Sequence, residues 1–94
     1  MHIIEPGVEF DPDKNAANLR KHGVDFVEAA SCLMDPLAIA MEDPAEDEMR
    51  WLLVGCSERG RVLTVSYTLR GEMPHLISAR RATAREKASH ARRI

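Results

Sequence analysis

Val8 and Phe10 flank Glu9, and this alternation of apolar and polar positions predicts a short strand with one buried face. Asp11 follows as an N-cap, with Pro12 at the first helical position, where its missing N–H costs nothing. The helix is expected to run from residue 12 to about 22. It stops at Gly23, a residue that readily takes the left-handed conformation ending a helix. Ala16 and Leu19 are expected to face inward, leaving Lys14, Asn18, Lys21 and His22 on other faces. A second helix opens at once, near 25–34. Asp25 and Glu28 stand at capping-box spacing, and Phe26, Ala29, Ala30 and Leu33 form a stripe at i, i+3, i+4, i+7. Asp35-Pro36 ends it. Leu37 to Met41 is apolar enough for a strand, and Glu42 to Glu48 reads as an acidic loop.

Three further strands are expected. Trp51 to Cys56 is apolar on both faces, and Ser57-Glu58-Arg59-Gly60 makes a turn. Leu63, Val65, Tyr67 and Leu69 alternate with Thr64, Ser66 and Thr68, so one face of that strand is polar. Arg70-Gly71-Glu72 turns into a last strand, His75 to Arg81, with Ile77 and Ala79 toward the core and Ser78 and Arg80 opposite. Thr83 and Glu86 form a T-x-x-E capping box that starts a helix near 83–92. The order β-α-α-β-β-β-β-α describes an α+β domain. An antiparallel β-meander from about 50 to 81 carries two N-terminal helices and a C-terminal helix.

At 94 residues the chain makes a single domain, 1–94, with a modest core. Hydrophobic residues at 45% and charged residues at 30% exclude a disordered chain. Apolar runs such as Trp51-Leu52-Leu53-Val54 fall far short of the roughly 18 residues that span a bilayer. The first residues lack the basic and apolar regions of a signal peptide, so a cytoplasmic, membrane-free location is expected. Cys32 and Cys56 have no Cys or His companion at metal spacing and read as inert buried thiols, with no metal or cofactor implied. Charge changes the picture more. The net charge of −2 hides a split, with −9 on residues 1–48 and +7 on residues 49–94. Segregation of this kind suggests two surfaces of opposite sign.

No catalytic template matches: there is no nucleophile elbow, P-loop, dinucleotide fingerprint or metal-binding helix. The helix-start carboxylates Asp11, Asp13, Asp25, Glu28 and Glu86 are explained as caps and dipole partners. The positive signal is the run Ile77-Ser78-Ala79-Arg80-Arg81-Ala82-Thr83-Ala84-Arg85-Glu86-Lys87. Arginines beside the N–H groups of a helix start make a natural phosphate site. Arg80, placed mid-strand among apolar residues, needs a partner for its charge. Arg85, Arg92 and Arg93 are better explained as a solvated basic helix end with local Glu86–Arg pairs.

Two segments resemble the BrnT family of bacterial toxins. The N-terminal one is Asp11-x-x-Lys14-Asn15-x-x-Asn18-Leu19-x-Lys21-His22-Gly23-Val24-x-Phe26. The C-terminal one is Ile77-Ser78-Ala79-Arg80-Arg81-Ala82-Thr83 with Arg85-Glu86. Between them, Arg50-Trp51-x-x-x-Gly55-x-Ser57-x-Arg59-Gly60-Arg61 and Val65-x-Tyr67-Thr68 fall where that family has its central strands. The resemblance implies a RelE-like fold and a type II toxin that cleaves RNA without a metal and inhibits translation. It also implies neutralisation by a BrnA-type antitoxin, whose ribbon-helix-helix region would make the only contact with operator DNA. On this reading Arg80 is the main phosphate clamp, supported by Arg50. Tyr67 is a proton-transfer or base-stacking group, or else an inward core residue. Lys14, Lys21 and His22 are RNA-binding or acid/base candidates, and Ser78, Arg81 and Arg85 are RNA-binding ones; for His22 a helix C-cap interacting with the dipole is the stronger reading. No residue declares itself the general base. The rival reading is a non-catalytic binding module that docks an antitoxin or nucleic acid on its basic face.

Overall fold

A computed structural model describes residues 1–4, 7–44 and 47–92. Ala45 and Glu46 of the expected acidic loop, and Arg93, lie outside the described residues. The strands are β1 (His2–Ile4), β2 (Val8–Phe10), β3 (Ile39–Pro44), β4 (Met49–Cys56), β5 (Val62–Arg70) and β6 (Met73–Arg81). The helices are α1 (Pro12–His22), α2 (Phe26–Ser31) and α3 (Ala84–Ala91), with a 3₁₀ turn at Cys32–Met34. The six strands form one sheet in the order β1-β2-β6-β5-β4-β3.

Local signals place the helices. Asp11 and Asp25 accept from the N–H groups of Asp13 and Val27, and Gly23 closes α1 at φ 69° with its N–H on the Leu19 carbonyl. Thr83 and Glu86 make the reciprocal capping box of α3. The α2 stripe holds through Ala30, after which the chain tightens into the 3₁₀ turn beside Gly55. A Cβ on Gly55 would stand 2.9 Å from the Cys32 carbonyl, so only glycine admits that approach.

One sheet face packs on α1 and α2. Val8, Phe10, Leu53, Leu63, Val65, Leu76 and Ala79 meet Val24, Phe26, Ala29, Ala30 and Cys32 there. Burial pushes the Cys32 thiol up to about 12, which fits the inert role expected of it.

Long-range pairing departs from expectation in several places. The sheet is mixed: β2 lies parallel to β6, with Glu9 opposite His75, and β1 pairs antiparallel to β2 as an additional strand. Alternation within a segment carries no information about which distant strand it will join. β3 begins later than expected and takes in Glu42, Asp43 and Pro44, because an edge strand tolerates charges and proline facing solvent. In β6 the register slips between Ser66–Ser78 and Tyr67–Leu76, so Ile77 is the extra residue and Leu76 takes its core position.

The inner face of α1 is the largest correction. Leu19 is 46% exposed and Ala16 is exposed, whereas Asn18 is buried. The reason is the free edge of β6. Asn18 Oδ1 accepts from the Ala79 N–H (3.0 Å), and Asn18 Nδ2 donates to the Ala79 carbonyl (2.9 Å). One amide thus stands in for the missing neighbour strand. The same Nδ2 donates to the Val24 carbonyl, and Asn15 accepts from the Phe26 N–H, tying α1 to α2. Asn18→Ala strips partners from three buried backbone groups and is expected to cost about 2–3 kcal/mol. A urea midpoint that stays within error of the parent would contradict this.

Candidate functional site

The registers of β3 to β6 build rows of side chains across the sheet face opposite the helical core. Val54, Thr64 and Arg80 form one row, beneath the start of α3. Two residues along, about 7 Å away, Met41, Leu52, Ser66 and Ser78 form the next. A third runs from Asp43 and Arg50 on β3 and β4, one residue past the last β4–β5 pair (Trp51 with Tyr67), beside Thr68 on β5, and then to His75 on β6 and Glu9 of β2. The Thr68 hydroxyl donates to the Met49 carbonyl at 2.9 Å, which closes β5 onto β4 at that end. On β5 and β6 the floor of this face is polar and recessed, with Thr64, Ser66, Thr68 and His75 all buried, while Val54, Leu52 and Met41 make its β4–β3 side apolar.

Arg80 stands at one end, 41% exposed. Its Nη1 and Nη2 donate to Glu86 Oε1 (2.8 Å) and Oε2 (3.1 Å), and Nη1 also reaches the Arg81 carbonyl. Glu86 further accepts from the Thr64 hydroxyl and the Thr83 N–H. Arg80 holds the Glu86 carboxyl down at about 2, and Glu86 raises the guanidinium in turn. The Nε–H edge of the fork has no partner among the described residues, so Arg80 arrives fixed in orientation with one bidentate edge open. At the other end, Arg50 Nε donates to Glu48 (3.1 Å), with Asp43 its cross-strand neighbour.

Beside Ser78, the edge of β6 meets one stripe of α1. Lys14, Lys21, His22, Ile77 and Ser78 line a shallow depression of about 230 Å³, with the stripe's small residues between the charges. Helical spacing puts residues 14, 18, 21 and 22 on one side of α1. The basic side chains of α1 thus stand along the β6 margin of this face.

Other candidates sit elsewhere. Tyr67 alternates onto the core side, half-buried against the hydrophobic cluster, and burial raises its hydroxyl. Arg81 lines a second depression of about 430 Å³ with Gly60, Arg61, Val62 and Lys87. Arg85 is exposed on α3.

Two polar clusters missed by sequence reasoning hold the scaffold. Buried Glu28 accepts from Ser57 Oγ (2.7 Å) and from Arg61 Nε (2.9 Å) and Nη2, with Arg59 at 3.7 Å. Arg61 holds the Glu28 carboxyl below the usual carboxylate range despite its burial. Asp35 meets His90 Nε2 at 2.7 Å and accepts from the N–H groups of Leu37 and Cys56. Burial opposes its ionisation, and these donors outweigh that and lower its carboxyl. Glu28 does not close the expected capping box, since Asp25 accepts from the Val27 N–H instead; its carboxylate is drawn to Arg61, 33 residues away and out of reach of any local reading. Among the described residues no three His, Cys, Asp or Glu side chains converge to hold a metal ion, and no helix is long and apolar enough to cross a membrane.

A family model for the ribonuclease toxin BrnT of type II toxin–antitoxin systems matches residues 10–86. The 1.1 Å crystal structure of the Brucella abortus ribonuclease toxin BrnT is similar to this fold, with a TM-score of 0.60. The likeness covers 81% of this chain and 95% of that one at 24% sequence identity. None of the curated proteins matches the chain.

Proposed function

We propose, from the premise that this chain belongs to the BrnT family of ribonuclease toxins of type II toxin–antitoxin systems, that it is a metal-independent endoribonuclease working on the polar face of its sheet. The observation that carries this reading is the grouping of Arg80, Ser78 and Arg50 on one recessed face, with Lys14, Lys21 and His22 on its margin.

The chemistry follows from that electrostatics. Backbone phosphates of an RNA strand sit against Arg80 and Arg50, with the row of hydroxyls between them. The strand is held so that a 2′-hydroxyl lies in line with the adjacent phosphorus and the departing 5′-oxygen. Fixed cations stabilise the charge that develops on phosphorus, and this needs no metal. The pairing of Arg80 with Glu86 favours the reading, because a guanidinium already oriented loses little freedom when it binds. Lys14, Lys21, His22, Arg81 and Arg85 extend the basic track beyond the cleaved bond, and Tyr67 serves the packing of β5. The fold is RelE-like in this reading, and the consequence in a cytoplasm is inhibited translation.

The partner follows from the same surface. A type II toxin is matched by an antitoxin, and a BrnA-type protein with a ribbon-helix-helix region would cover the cationic face and supply the contact with operator DNA. Specific complexes bury about 1,200–2,000 Å² in total, enough to seal this face.

Incubating the purified chain, free of antitoxin, with RNA in excess EDTA tests the reading. Expected products carry 2′,3′-cyclic phosphate and 5′-hydroxyl ends, at a rate that EDTA leaves unchanged. Intact RNA from a folded protein would point instead to the non-catalytic docking module.

A further inference from the structure

The reading above has cations for the phosphates and no group to take the 2′-hydroxyl proton. We infer that His75, oriented by Glu9, is that general base. This inference rests on the ribonuclease reading and deepens it. Sequence reasoning passed over both residues: Glu9 belongs to a three-residue strand, His75 opens the last one, and 66 positions separate them.

The parallel bridge between β2 and β6 sets Glu9 directly opposite His75 on the polar face. His75 Nδ1 lies 3.1 Å from Glu9 Oε1, and Arg70 Nη1 lies 3.7 Å from the same oxygen. A carboxylate on Nδ1 keeps the proton on that nitrogen and presents Nε2 as the acceptor. Among the described residues nothing bonds to Nε2. Among the described residues no fully buried side-chain nitrogen or oxygen is left without a partner, so Nε2 is not wholly sealed from solvent. The imidazole as a whole is 4% exposed, which fixes the ring and limits what can reach it to a group lying on the face.

The surroundings suit the task. Arg50 is in the same row, two strands away across Thr68, or about 10 Å between backbones, within reach of one phosphate from the other side. Arg70, mostly exposed, stands diagonally behind Glu9. Arg80 lies two rows off, about 14 Å along the strands, and holds a phosphate further along the RNA, which fixes the register of the strand. The step balances. The 2′-hydroxyl gives its proton to His75 Nε2, the 2′-oxygen bonds to phosphorus, and the bond to the 5′-oxygen breaks. The departing oxygen takes a proton from solvent water, and His75 returns its own to solvent.

The mundane alternative is that the Glu9–His75 contact merely ties β2 to β6. Single-turnover cleavage of RNA by the full chain, freed of its antitoxin, separates the two. His75→Gln is expected to lower the rate about 10²–10⁴-fold, the range for a lost general base. Glu9→Gln, which acts through His75 as a positioning residue, is expected to lower the maximal single-turnover rate about tenfold or more, with the protein concentration giving half that rate unchanged. His75→Ala should regain activity in added imidazole, a rescue that a structural tie would not show and that leaves Arg80→Ala unaffected. Should His75→Ala fail to fold, His75→Gln and Glu9→Gln still decide. A folded His75→Gln that cleaves within threefold of the parent overturns the assignment alone. An unmodified chain that leaves RNA intact takes down the ribonuclease reading, and this assignment with it.

Discussion

Arg80→Ala is expected to slow RNA cleavage about 10²-fold or more, the cost of a strand no longer held in register against the reacting groups. In a growth assay at matched expression the same substitution should relieve toxicity. The fold should survive the change. Glu86 keeps the Thr64 hydroxyl and the Thr83 N–H as partners, and the pair it loses is 41% exposed on the arginine side. Such a pair contributes about 1 kcal/mol or less, so the melting curve should move little. Arg80→Lys should fall between the parent and the alanine variant. An ammonium keeps the charge, but it cannot bond Glu86 with one edge and a phosphate with the other. A folded Arg80→Ala chain that cleaves RNA at the parent's rate would remove Arg80 from the machinery, whatever it does for α3.

The largest stability effect is expected at Glu28, on the opposite side of the molecule. Its carboxylate joins α2 to the turn between β4 and β5 through Ser57, Arg59 and Arg61. Breaking a buried ion pair from one side typically costs about 3–5 kcal/mol. Glu28→Ala should fall at the low end, about 3 kcal/mol, because the arginines left behind reach solvent. For a domain of this size that is a melting point lowered by roughly 15 °C. Cleavage measured well below the new melting point should be nearly unchanged, since Glu28 lies on the core side. The pH dependence has a defined sign. Glu28, Asp35 and Glu86 are all held below their ordinary values in the folded state, Glu86 at about 2. Their stabilisation is therefore complete above the unfolded carboxylate range, about 4 to 4.5, and is lost on acidifying from there toward 2. A melting temperature that stays flat from pH 6 to pH 2.5 would contradict this.

Much of the candidate site was legible residue by residue. The Arg80 position stood out because a charge inside an apolar strand demands a partner, and the partner, Glu86, was already visible as the third residue of a capping box. Lys14, Lys21 and His22 stood at helical spacing, so their shared side of α1 was implied once the helix was. What could not be read was the role of neighbouring polar residues. Asn18 looked like a surface residue and is buried, because its amide completes the edge of a strand 61 residues away. Glu9 looked like the solvent-side residue of a short strand and faces His75.

By itself the sequence determined what is local in this protein. Caps at Asp11, Asp25 and Thr83, the stop at Gly23, the α2 stripe and the alternation of β5 all act within a few residues, where backbone hydrogen bonds and side-chain spacing decide the outcome. Only the tertiary structure decided the parallel placement of β2 beside β6, the bulge that trades Ile77 for Leu76, and the break in the second helix at the 3₁₀ turn. It alone assembled Glu28 with Arg61 and set Arg50, His75 and Glu9 in one row. Those outcomes depend on which surfaces the whole chain buries together, and on which buried polar groups must then find partners. Neither condition is a property of any short stretch of residues.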